Sequence, residues 1–195
     1  MAGKPLAGVA FALALGAALA GCASRPVEHF YTVSGGDVAP ASGPEVQQVA
    51  VSPIIIPALI DRPQLVVRTS AHEVEVLENH RWGEPLSVDL TRALIGDLRR
   101  ARPGLSIVAA DTPPTQGAGQ ILDVAITELL SGPGTTASLQ ASWVLRDRHR
   151  NCVRTGNLES SIPAQAGYGA IPVAYADAMS RLADAIARTI AAVCE

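Results

Sequence analysis

Fifteen consecutive residues without a polar side chain, Leu6–Ala20 (LAGVAFALALGAALA), follow the single lysine Lys4 and run into Leu19-Ala20-Gly21-Cys22. A membrane-spanning helix needs about 20 apolar residues. The run is short for a span and matches the hydrophobic region of a secretory signal behind a positive start. Small residues at 20 and 21 let the backbone enter a peptidase groove, and Cys22 supplies a thiol nucleophile. The tetrapeptide therefore has the form of a bacterial lipobox. In that chemistry the thiol takes a diacylglycerol group, and cleavage frees the cysteine amine for a further acyl chain. Two or more chains hold a protein at a bilayer where one is marginal. The sequence predicts a signal peptide over 1–21, a lipidated tether over 22–28 and one folded domain over 29–195. Ala23 and Ser24 follow the cysteine. No aspartate stands where it would retain the protein at the inner membrane, so the expected location is the outer membrane, facing the periplasm.

Composition narrows what the mature chain can do. The full sequence is 48% hydrophobic and 17% charged, enough apolar content for the mature chain to build a packed core. Beyond Lys4 it carries fourteen arginines, no lysine and eighteen acids. This net negative charge argues against a nucleic-acid binder, which displaces counterions with a basic surface. Without lysine there is neither a P-loop lysine for phosphates nor a Schiff-base lysine for pyridoxal phosphate.

Hydropathy periods place the elements. His29–Val33 reads as a first strand. Val46–Ile56 has strand character, confined to an edge or a strand end by Pro53 and Pro57. Gln64–Thr69 and Glu73–Glu78 read as short strands. Leu86, Leu90, Leu94 and Leu98 recur every four residues and predict a helix over Leu86–Arg102, with Pro85 at its first turn and Pro103-Gly104 as its stop. Leu105–Ala109, Gln120–Leu130, Ala137–Asp147 and Cys152–Ile162 read as strands, the last two joined by a hairpin at 148–151. Tyr175, Met179, Leu182, Ile186, Ile190 and Val193 stripe a final helix over Pro172–Val193. The expected fold is α/β, a three-layer sandwich with a mixed β-sheet flanked by helices.

The residues of chemical interest do not assemble into a reaction centre. None of His29, His72, His80 and His149 lies in an HExxH pattern, and no GxSxG or Ser/His/Asp set stands out. Neither a metal nor a cofactor is expected. Asp123 and Glu128 differ in parity along one strand, so they are expected on opposite faces and not as a cooperating carboxylate pair. Arg146-Asp147-Arg148-His149-Arg150 reads as a solvated hairpin end. Cys152 and Cys194 are candidates for a disulfide in an oxidising periplasm, with two buried free thiols as the alternative.

The segment Leu59-Ile60-Asp61-Arg62-Pro63-Gln64-Leu65-Val66-Val67-Arg68 is harder to explain as scaffold. So is Arg81-Trp82-Gly83-Glu84-Pro85-Leu86. The first couples a charged, proline-stiffened turn to a strand. The second sets a tryptophan at a helix entrance, where it either caps the core or meets a partner. Asp61, Arg62, Pro63, Gln64 and Trp82 are the candidate partner surface.

These two segments, the lipobox at Cys22, the Phe30-Tyr31-Thr32-Val33 strand and the leucine-striped helix occur in an order that resembles the ABC-type transport auxiliary lipoproteins, the PqiC-like family. Gly83 stands where that pattern has a small residue such as alanine. The resemblance implies a fold similar to the N-terminal domain of TolB. It implies a non-catalytic role beside a mammalian-cell-entry (MCE) domain protein and an ABC transporter, in lipid transport that supports outer-membrane integrity. It leaves self-association open.

Overall fold

A computed structural model describes residues 26–35, 48–111, 118–132, 134–148 and 150–191. Eight strands and two helices follow in the order β1 (His29–Tyr31), β2 (Gln48–Val51), β3 (Gln64–Ser70), β4 (Glu73–Trp82), α1 (Leu86–Ala101), β5 (Ser106–Ala109), β6 (Gln120–Leu130), β7 (Thr136–Asp147), β8 (Cys152–Pro163) and α2 (Ala170–Ala191). The α/β class with mixed pairing is as expected, but the strands divide into two sheets. One has the order β1-β4-β3 and the other β5-β2-β6-β7-β8. In the larger sheet β2 pairs in parallel with both β5 and β6, and the β6-β7-β8 meander is antiparallel.

The two faces of the β6-β7-β8 meander differ. Along β7, Ala137, Leu139, Ala141, Trp143 and Leu145 are buried, whereas Gln140, Ser142 and Arg146 are exposed. β8 alternates in the same way, with Val153, Thr155, Asn157 and Glu159 on the open side. Both helices cover the apolar side. Trp143 Nε1 donates to Thr189 Oγ1 of α2 at 3.2 Å. Arg99 Nε of α1 donates to Ile107 O of β5 at 2.8 Å. The other face of the meander carries polar side chains, so a helix laid on it would gain little apolar burial.

Local chemistry explains the boundaries. Leu86, Leu90, Leu94 and Leu98 are all no more than 1% exposed and form the inner stripe of α1. Its start rests on Pro85, whose carbonyl accepts from Val88 and Asp89. Strand β2 stops at Val51, short of the anticipated run to Ile56, because Pro53 cannot donate to a ladder. Strand β4 extends past Glu78 to Trp82, since the His80–Trp82 backbone pairs with β1.

A register shift between Ile126 and Glu128 corrects the expectation for the two β6 acids. Asp123 pairs with Val144 and Glu128 with Gln140, two residues of like parity on β7. Both carboxylates therefore lie on the same, open face. Each has its own arginine: Asp123 pairs with Arg146, and Glu128 with Arg68 at 3.2 Å. Two separately neutralised carboxylates are not an acid–base pair.

Candidate functional site

The two segments singled out in the sequence meet in one cleft of about 290 Å³. Asp61, Arg62 and Pro63 form one wall; Trp82, Glu84, Pro85 and Leu86 form the other. The first wall is a tight turn. Ile60 N and Asp61 N both donate to Pro57 O, and Arg62 N donates to Ile60 O at 2.9 Å. The turn is stitched to the second wall by Trp82 N donating to Pro63 O at 2.8 Å. One residue on, Gly83 N donates to Tyr31 O, also at 2.8 Å. The end of β4 thus holds the charged turn on one side and β1 on the other.

The walls differ in character. Asp61, Arg62 and Pro63 are exposed and Gln64 is half-buried, its Nε2 donating to Glu78 Oε2 at 3.3 Å. Trp82 is only 5% exposed. Its ring stacks on Tyr175 with centroids 5.8 Å apart, and the Tyr175 hydroxyl donates to Leu129 O at 3.1 Å. Burial pushes the Tyr175 phenol pKa up, which keeps it a neutral donor. Of the two roles open to Trp82, capping the core is the one its burial fits. Glu84 of the second wall is paired: the Arg92 guanidinium forks onto it, with Nη2 at 2.6 Å from Oε2. The cleft therefore offers an apolar floor, a neutralised Glu84 and an exposed acid and base side by side, Asp61 and Arg62. That suits binding more than bond-making.

Two features beside the cleft escaped the sequence reading. Asp89, in the first turn of α1, is 1% exposed. Its carboxylate accepts from Val33 N at 2.6 Å, from Ser34 N at 3.0 Å and from Thr32 Oγ1 at 3.1 Å. The signal was an aspartate inside a leucine stripe, but its partner strand lies more than fifty residues away. The second feature is an aromatic stack on β1 and β4. His80 stacks on His29 at 4.9 Å and on Tyr31 at 5.8 Å, and meets the Tyr168 ring at 4.6 Å. The Tyr31 hydroxyl lies 2.8 Å from His80 Nδ1. Burial, and then the neighbouring His29, lower the His80 pKa, and burial raises that of Tyr31.

Among the described residues no group of three or more His, Cys, Asp or Glu side chains is placed to hold a metal, and no helix is long and apolar enough to cross a membrane. Cys152 is disulfide-bonded. Cys22, Cys194 and His149 lie outside the described residues.

Fold and cleft together describe a small α/β domain in which β1 is bonded, through Tyr31 O, to Gly83 beside the cleft's second wall. The chain belongs to the family of ABC-type transport auxiliary lipoprotein components, whose model matches residues 31–187. It is 26% identical over 176 residues to the intermembrane transport lipoprotein PqiC of Escherichia coli K12, spanning 88% of this chain and 91% of that protein. The Shigella flexneri protein of the same name matches to the same extent. Among solved structures, an uncharacterized protein superposes with a TM-score of 0.70 at 17% identity, covering 85% of this chain and 99% of the other. A Xanthomonas campestris protein of the DUF330 family superposes with a TM-score of 0.59 at 16% identity, covering 85% and 92%. These two likenesses concern the fold. The family makes this chain a transport auxiliary lipoprotein.

Proposed function

We propose that the chain is a non-catalytic, lipid-anchored component of an ABC/MCE-type lipid transport system that supports outer-membrane integrity. Acyl chains on Cys22 hold it at the outer membrane, facing the periplasm. The Asp61-Arg62-Pro63 wall of the cleft docks the periplasmic MCE-domain partner, and through it the ABC transporter. The observation that carries this reading is the family match over 31–187, preceded by a lipobox cysteine nine residues before Tyr31. Affinity purification of the tagged protein from detergent-solubilised membranes tests it. An MCE-domain protein should co-purify with wild type and be depleted with Arg62→Ala. Recovery of only cell-wall or secretin components would count against the docking role. Loss of palmitate-analogue labelling in Cys22→Ala tests the anchor, and normal labelling of that variant refutes it.

The partner of Cys152 in this reading is Cys194. Helix α2 runs antiparallel to β8: Arg181 Nη1 meets Ser160 Oγ at 3.2 Å, while Thr189 meets Trp143, whose register partner is Gly156. Later residues of α2 therefore lie beside earlier residues of β8. Cys22, the third cysteine, is consumed by its thioether. Trapping free thiols under denaturing, non-reducing conditions should find none in wild type and one in Cys194→Ser.

A further inference from the structure

The tether is short compared with the body it holds. From Cys22 to His29 are seven peptide units, which reach at most about 23–25 Å when fully extended. A compact domain of this length has a radius of gyration of about 15 Å and is about 40 Å across. Strand β1 cannot point away from the bilayer, because the tether would have to cross the whole body to reach it. An anchor at Cys22 therefore keeps β1 within about 25 Å of the bilayer, on the near half of the body.

That side presents apolar groups to solvent. Val27 is 72% exposed and Phe30 is 62% exposed. Phe30 is the one aromatic among the exposed large apolar side chains of the described residues. It stands on an edge strand, opposite Arg81 in the register. Arg81 Nε lies 4.0 Å from Glu28 Oε1, so the charges flanking Phe30 compensate one another. A wholly apolar ring such as that of Phe30 gains by burial at the boundary between head groups and acyl chains, as on interfacial segments generally. The His29, Tyr31 and His80 rings lie immediately behind this rim.

We propose that β1 and the residues leading into it rest in the interfacial layer of the membrane that holds the anchor, with Val27 and Phe30 seated between the head groups. The proposal builds on the acylation of Cys22 argued above. It gives the domain one standing orientation on the bilayer. Because the flanking pair is neutral, the contact does not require anionic lipid.

The test uses the acylated full-length mature protein in vesicles of phosphatidylethanolamine, with and without phosphatidylglycerol. The vesicles are doped with a phospholipid carrying a diazirine near its carbonyl groups. After irradiation, lipid adducts should concentrate on the peptide containing residues 26–35, to a similar extent in both vesicle types. A Val27→Ser/Phe30→Ser variant should lose them several-fold while its acyl mass and circular dichroism stay unchanged. Both side chains are exposed, so this variant folds. Even labelling over the surface, or undiminished labelling of the variant, overturns the proposal. Chain-to-chain cross-links at Phe30 in place of lipid adducts overturn it too, and assign the rim to a second copy. An intact mass without acyl chains overturns the anchor itself, and this contact with it.

Discussion

Val33 donates its backbone N–H to Asp89 Oδ2 at 2.6 Å, across 56 residues of sequence. With Ser34 N and Thr32 Oγ1 on the same carboxylate, this bond fixes the chain leaving β1 to the first turn of α1. The inner stripe of that helix, Leu86, Leu90, Leu94 and Leu98, is fully packed. Removing the carboxylate leaves two buried amides without partners, at about 1–3 kcal/mol each. Asp89→Ala should therefore lose about 3 kcal/mol in urea unfolding, and Asp89→Asn, which keeps one acceptor, less. A loss below about 1 kcal/mol for the alanine variant would contradict the clasp.

Gly156 lies under the Trp143 indole. A Cβ built there would sit 2.3 Å from Cζ2 and 2.5 Å from Cε2. The ring cannot back away freely, since its N–H is bonded to Thr189 of α2. Gly156→Ala should cost about 1–3 kcal/mol through overpacking, read as a lowered Tm. An unchanged Tm would mean that the ring is not held.

Stability should respond to mild acid through His80. Burial and His29 lower its folded pKa, while the unfolded side chain titrates near about 6.5. Below that pH the unfolded chain binds a proton that the folded chain refuses until the pH is lower still. The contribution is complete above about pH 6.5 and is lost as pH falls through the depressed folded value. Urea midpoints between about pH 7.5 and 5 should fall more steeply for wild type than for His80→Gln. Parallel curves would remove His80 as the cause.

The two walls of the cleft should separate cleanly. Trp82→Ala deletes a buried ring stacked on Tyr175 and should cost about 3–5 kcal/mol of stability. Arg62→Ala removes an exposed side chain and should leave stability within about 0.5 kcal/mol. If both variants lose partner binding but only Trp82→Ala loses stability, Arg62 contacts the partner and Trp82 supports the wall.

The periodic elements were legible in the sequence because their signals are local. Helix α1 was expected over Leu86–Arg102 and runs over Leu86–Ala101, and β6 occupies the anticipated Gln120–Leu130. What the sequence hid depends on contacts far apart along the chain. Nothing near His29 says that it lies beside His80, so the split into two sheets was invisible. One irregular step after Ile126 reversed the face of Glu128, which strict alternation had assigned wrongly. The cleft was legible as two segments but not as one place, because the bond from Trp82 N to Pro63 O that joins them lies just beyond the β3–β4 ladder and belongs to no motif.

The docking role is tested most directly by a photoreactive amino acid placed at Arg62, with position 153 on the open face of β8 as the reference. After irradiation of living cells, position 62 should give a cross-link to a periplasmic MCE-domain protein, and position 153 should not. Cross-links to that protein from neither site, or equally from both, would contradict docking through the Asp61-Arg62-Pro63 wall.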